Sequence, residues 1–581
     1  MSKLNVDQKT IMLLLSDKKS DFLIPDYQRP YAWEEAQCQT LWDDIFSFAF
    51  PDNNYENFNN DEEYFLGSIV TFENENSKKE VIDGQQRLTT LMLLLRAFYS
   101  KFGNMQDNNS KKTRERIAQC LWKTDEFGEA DLTRLKIDSE VATDNDKEEF
   151  LEILRTGIVS KDQKSNYAKN YLFFQQKIDE FLHLFPSYFA YLPARILQNC
   201  ILLPIEAESQ DTALRIFSTL NDRGLPLSDA DIFKAQFYKF YGGKNQKDLF
   251  IEKWKELEEV SSKIFKPIIG TPMDELFTRY MYFVRANQGI KSSTTEALRK
   301  FYEKDKYAIL KRDETLENLK ILVDFWNDVY TQNPERFSPN ILRKLFILNF
   351  APNGMWTYFL SVYFLINKNL KEQLDENRLE IFLNKTIAFV WGYAFTNPGV
   401  NALRTPVYAE MINVVSGKDM NFDDHKFEEN TLRTAINNFE FKNGRPITRS
   451  MLIWWAFNNE EQTIPTSNTN FDIEHIFARK RQENDRTLKN IKNLEAIGNK
   501  VLLEDKINIR ASDYRFVDKI KYYLGFTNDK GQFKQGTIIF ELIELSKSKT
   551  DFSEDDISFR TEEIINQFIN YLNENDLIVK H

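Results

Sequence analysis

Apolar positions recur at helical spacing over most of the chain, and the places where that period breaks are where the polar chemistry sits. From Glu34 onwards Leu41, Trp42, Ile45 and Phe46 share one helical face, and Glu34 and Glu35 stand in a first turn, where the positive end of the helix dipole favours carboxylates. Just ahead, residues 22–31 (FLIPDYQRPY) carry prolines at 25 and 30 and no helical period, which predicts an extended segment. Residues 64–72 (YFLGSIVTF) are rich in strand formers, and a polar turn separates them from a second short run at 80–82. That pattern predicts a hairpin. Residues 88–98 (LTTLMLLLRAF) are apolar on every side, so this helix should be buried nearly all round.

Residues 104–165 are polar with weak periodicity and predict an insertion of loops and short helices. Residues 199–205 (NCILLPI) read as a buried strand, leading to a helix over about 211–220, then Asn221-Asp222-Arg223-Gly224. A second helix opens at Ser228, with Asp231 completing a capping box. Helical patterns dominate from about 241 to 440. Near Ile473 the character changes again: a strand-like segment, a basic loop, an apolar run at 500–503, then a polar helix.

Composition agrees with a multidomain, mainly α fold. The chain has 581 residues, 42% hydrophobic and 28% charged, with only 19 glycines and 16 prolines. Such a length suits about three to five domains. We divide it at 1–240, 241–440 and 441–581. The 48 phenylalanines are spread along the chain and are expected to fill cores. Three scattered cysteines, Cys38, Cys120 and Cys200, support neither a disulfide framework nor a zinc site, so a reducing cytoplasm is expected. No apolar run approaches the roughly 18 residues of a membrane span, and the run 11–15 is too short for the core of a signal peptide. A net charge of −12 argues against a basic surface overall, although not against a local one.

Histidine occurs only four times. One of them, His475, follows Glu474 in FDIEHI, and downstream come Ile497-Gly498-Asn499-Lys500 and then Asn508. An imidazole with an ordinary pKa of about 6.5 is largely neutral at pH 7 and can take a proton from a water attacking a phosphodiester. Glu474 and Asn508 are hard oxygen donors suited to Mg²⁺ or Mn²⁺, and Asn499 is placed to hold the loop carrying the histidine. The segment 476–521 carries twelve basic against seven acidic residues, a local excess of the kind phosphate contacts need. These residues resemble the HNH, or His-Me finger, nuclease motif. The resemblance spans about 40 residues and departs from the commonest pattern in having Asn508 at the last position and no supporting zinc cysteines.

At the other end, Asp83-Gly84-Gln85-Gln86-Arg87 lies between a predicted strand and a predicted helix. Arg87 can grip phosphate with its planar fork, Asp83 can hold a metal or a water, and Gln85 and Gln86 offer neutral donors able to orient a water. The motif is not a P-loop, because the lysine of that motif is absent.

Together IPDYQRPYAW, DGQQRLTTL and STLNDRGLPLSDADIFKA resemble the N-terminal domain of GmrSD-type modification-dependent restriction enzymes and their phosphorothioate-sensing relatives. The resemblance implies an N-terminal α+β domain of ParB/sulfiredoxin-like fold, a helical connecting region and a C-terminal ββα-metal (HNH) nuclease domain. It implies a nucleotide site at Asp83, Gly84, Gln85, Gln86 and Arg87, with Gln28 and Arg29 beside it, for GTP or another nucleoside triphosphate. Asn221, Asp222 and Arg223 are equally well explained as a helix–helix turn. Tyr27, Tyr31 and Trp33 read as packing residues. The implied partners are modified phage double-stranded DNA and a nucleoside triphosphate, with no membrane and with room for a homodimer. The implied activity is an NTP-regulated, modification-dependent DNA endonuclease of antiphage defence. The alternatives are a DNA-binding regulatory NTPase with a vestigial nuclease, and a nuclease toxin without modification preference.

Overall fold

The computed structural model describes residues 5–6, 8–51, 54–105, 107–141, 144–159, 164–210, 212–213, 216, 228–399, 401–465 and 469–580. It is mainly helical, with a small mixed sheet in the N-terminal part, and divides into two compact units, residues 1–255 and 256–581.

The first unit is built around seven strands: β1 (Asn5–Val6), β2 (Lys9–Thr10), β3 (Phe22–Ile24), β4 (Tyr64–Glu73), β5 (Lys79–Asp83), β6 (Ile137–Ser139) and β7 (Cys200–Ala207). Their order is β1-β7-β4-β5-β3-β6, with β2 also paired to β7. The hairpin expected from residues 64–82 is β4 and β5, antiparallel, and the NCILLPI strand is β7, which lies parallel to β4. Alternation along the strands feeds two cores. Val81 of β5 enters the larger one, while Ile82 joins Val70, Ile205 and Ala235 in a smaller one on the other face.

Helix α1 (Glu35–Ala49) opens with a capping box between Glu34 and Gln37 and buries Leu41, Trp42 and Ile45. Helix α2 (Gln85–Lys101) has every residue from Leu88 to Phe98 buried, as its all-round apolar pattern requires. Ser228 caps the helix Asp229–Gly242 in a capping box with Asp231. The expected helix over 211–220 and the turn Asn221, Asp222, Arg223 and Gly224 lie outside the described residues, apart from 212–213 and 216.

The stretch 104–165 is more ordered than its weak periodicity suggests. It holds a 14-residue helix, Asn108–Leu121, a hairpin of Trp122–Thr124 with Ala130–Leu135, and β6, which extends the main sheet parallel to β3. The helix escapes notice because Ser110, Thr113 and Ala118 share its buried face with Ile117, Cys120 and Leu121, and short polar side chains hide an apolar period.

The second unit packs long helices, among them Asp313–Tyr330, Met355–Asn367 and Glu376–Thr396, through stacked rings such as Phe325 on Phe364 and Phe389 on Phe422. Its strands include β8 (Phe471–His475) and β9 (Lys500–Glu504). All three cysteines are buried and unbridged, and among the described residues no helix is long and apolar enough to cross a membrane.

Candidate functional site

Strands β8 and β9 pair antiparallel, with His475 opposite Lys500 and Glu474 opposite Val501, and the helix Asp505–Ala511 follows β9 directly. The pleat sends Asp472 and Glu474 to one face and Ile473 and His475 to the other.

On the His475 face, Lys500 is fully buried and its ammonium is completely used. It donates to Asn443 Oδ1 at 2.6 Å, to Glu495 Oε2 at 2.8 Å and to His475 Nε2 at 2.9 Å. An ammonium can only donate, so Nε2 accepts and the ring proton sits on Nδ1. Burial, reinforced by the Lys500 charge, pulls the His475 pKa down to about 4. The imidazole is therefore neutral at pH 7. Burial pushes Glu495 upward, but Lys500 and Arg479 outweigh it and hold the carboxylate below its ordinary range.

Asn499 is buried and faces the loop after β8. Its Oδ1 accepts from the Phe477 N–H at 2.7 Å, and its Nδ2 donates to the carbonyls of Phe477 and Leu494 at 3.1 Å each. Its own carbonyl accepts from the Ile476 N–H at 2.9 Å. Gly498 beside it has no room for a side chain, since a Cβ there would meet Ile557 O at 2.2 Å and Thr561 Oγ1 at 2.3 Å. Both neighbours belong to the helix Glu554–Glu574. From the same helix, buried Arg560 donates to the carbonyls of Ile497, Gly498 and Lys500 while pairing with Glu541.

On the opposite face, Asn508 Nδ2 donates to Asp472 Oδ2 at 3.1 Å. Glu474 is buried, and its Oε1 accepts from Lys519 Nζ at 2.5 Å and from Tyr523 OH at 3.1 Å. Burial raises its pKa, with Lys519 and Tyr523 working against that rise. Among the described residues no group of three or more His, Cys, Asp or Glu side chains forms a metal cage. The oxygens of Asp472, Glu474 and Asn508 are nonetheless hard donors on one strand face and its following helix, the type that suits Mg²⁺ with several retained waters. Around the strand pair Arg479, Lys480, Arg486, Lys492 and Lys506 are exposed.

In the first unit, Gly84 joins β5 to α2 in the left-handed region, at φ 88°, and a Cβ would lie 2.9 Å from Ser68 O. The two glutamines that follow are buried and turned to the backbone of the YQRPYA segment. Gln85 Nε2 donates to Arg29 O at 3.3 Å; Gln86 donates to Pro30 O at 3.2 Å and accepts from the Ala32 N–H at 2.7 Å. Gln28 returns the tie, donating to the carbonyls of Val81 and Ile82. Burial raises the pKa of Asp83, against a hydrogen bond from the Gly84 backbone and the charges of Arg87 and Arg29. Arg87 donates to Ser68 O at 2.9 Å and lies against Gly67, where a Cβ would fall 2.7 Å from its guanidinium carbon. Tyr27 and Tyr31 are buried, Tyr31 bonding to Thr90 and Asn170, and Trp33 packs on the core.

Sequence reasoning missed Asp472, Lys519, Tyr523, Glu495, Arg560 and Gly67. Strand alternation alone puts Asp472 on the Glu474 face. Glu495 lies in the loop just ahead of Asn499 but no motif marks it, and Lys519, Tyr523 and Arg560 arrive from later helices.

A family model described as "GmrSD restriction endonuclease, N-terminal domain" matches residues 11–238, and one described as "GmrSD restriction endonucleases, C-terminal domain" matches residues 426–567. No curated protein matches the chain.

Proposed function

The chain has a GmrSD-type restriction endonuclease architecture, and from that premise we propose that it cuts modified phage DNA at the β8–β9 site under control of a nucleoside triphosphate. In this reading β8, β9 and the helix Asp505–Ala511 form the ββα-metal core of an HNH nuclease, and the N-terminal sheet is ParB/sulfiredoxin-like. The observation that supports it best is a neutral, half-buried His475 on a strand whose other face carries two hard-oxygen donors, with exposed basic residues on the segments that follow.

His475 acts as general base. Nε2 is the nitrogen with the lone pair, so it receives the proton of the attacking water once Lys500 moves off it towards Glu495, a partner it already contacts. Asn499 keeps the loop in place through the backbone of Phe477. Arg479, exposed beside Glu495, offers charge to a phosphate. Glu474 and Asn508 are the residues that would hold Mg²⁺ or Mn²⁺, which when bound would supply positive charge to a leaving oxygen. At the N-terminal site Arg87 and Arg29 carry the charge that a triphosphate requires, both act electrostatically on Asp83, and Gln85, Gln86 and Gln28 hold the two segments in register.

The test is a cleavage panel of matched modified and unmodified duplexes, with and without each nucleoside triphosphate. The reading expects cutting that depends on both. Cutting indifferent to the modification favours a toxin nuclease, and nucleotide turnover without nicking favours a regulatory NTPase.

A further inference from the structure

Lys519 has no place in the motif, yet it is buried within the site. It is 1% exposed and sits on the helix Phe516–Leu524 one turn from Tyr523, so both side chains leave the same helical face. The ammonium lies 2.5 Å from Glu474 Oε1 and 2.9 Å from the His475 carbonyl, and the Tyr523 hydroxyl takes the same carboxylate oxygen at 3.1 Å. A buried carboxylate without a counter-charge is strongly unfavourable, so in this arrangement Lys519 supplies the positive charge that Glu474 needs.

Both partners of Glu474 sit on the same oxygen, Oε1. A divalent ion approaching Glu474 meets like charge from the ammonium and an oxygen already accepting twice. The His475 carbonyl gives Lys519 a second acceptor to keep when it leaves the carboxylate.

We propose that Lys519 is a tethered counter-ion that occupies Glu474 until a divalent cation displaces it, so that the helix Phe516–Leu524 sets the metal affinity and stabilises the metal-free site. The inference rests on Glu474 being a metal ligand. It makes Lys519 a positioning residue, one that acts through Glu474 and does not touch DNA.

The experiment uses the full chain and Mn²⁺ as probe, with affinity read by calorimetry and Tm read in EDTA and in Mn²⁺. Lys519→Met is expected to bind Mn²⁺ about tenfold tighter than the parent. It should melt lower in EDTA and gain more from Mn²⁺ than the parent does. Lys519→Gln should behave alike, whereas Tyr523→Phe, which keeps the ammonium, should shift affinity far less. Unchanged or weaker Mn²⁺ binding in both Lys519 variants overturns the proposal. So does failure of both to fold even with Mn²⁺, because the metal then cannot replace the ammonium. Glu474→Gln separates the two layers: Mn²⁺ binding that survives it, or a parent chain that binds no Mn²⁺, removes the metal role of Glu474 itself.

Discussion

At DGQQR the amides of Gln85 and Gln86 are engaged with the backbone of residues 29–32, and Arg87 is bedded against Gly67 and the Ser68 carbonyl. At β8–β9 side chains meet side chains instead: Lys500 pairs with Glu495 and donates to the neutral His475, and Lys519 pairs with Glu474. One polar motif joins two backbone segments; the other holds ionisable side chains close together. Loss of a joining group leaves buried backbone polar atoms unpaired and costs stability. Loss of a reacting group costs chemistry while the fold persists. The two regions should therefore answer mutation in different currencies.

The sharpest probe is His475→Ala, which should lower DNA cleavage by about 10² to 10⁴-fold while nucleotide hydrolysis and Tm stay near those of the parent. Plasmid nicking measured alongside phosphate release would detect the opposite, and surviving cleavage would place the chemistry elsewhere. Next comes Gly498→Ala, where the collision with the Ile557 carbonyl and Thr561 is expected to cost about 3 kcal/mol in a denaturant titration and to take cleavage with it. A wild-type midpoint would mean that the helix Glu554–Glu574 does not bear on the loop.

Gln86→Ala should behave as a joining residue. It strands the Ala32 N–H and the Pro30 carbonyl, for about 1–3 kcal/mol, and any loss of nucleotide turnover should track unfolding. Turnover abolished at full stability would instead make Gln86 a reacting group and erase the contrast. The smallest effect is in pH. With His475 held down to about 4, the acid limb of cleavage due to this group should lie near that value and not near 6.5. Its folded pKa is depressed, so the unfolded chain binds more protons between about 4 and 6.5, and stability should fall as pH drops through that window. A pH–rate profile with an acid limb at 6.5 would contradict the buried, Lys500-bound imidazole.

Much of the local structure was legible beforehand. The hairpin 64–82, the all-round apolar helix after DGQQR, the Ser228 capping box and the strand at 471–475 each follow from periodicity or caps within a dozen residues. The spacing of His475, Asn499 and Asn508 was legible too, because they lie on one contiguous strand–loop–strand–helix run. Tertiary pairings were not. Lys519 reaches Glu474 across 45 residues and Arg560 reaches Gly498 across 62, and neither helix announces its target. Strand β6 was hidden within a polar stretch, since its three residues form a period too short to read.

The clamp of Arg560 and Thr561 on the Ile497–Lys500 loop has a consequence for the protein's own synthesis. The histidine strand is complete by residue 475 and its partner by residue 504, but the helix that fixes the loop between them begins only at Glu554. A nascent or truncated chain that stops short of that helix carries every residue of the motif without the contacts that hold Asn499 in position. The order of translation therefore leaves this loop without its clamp until the closing helix has been made.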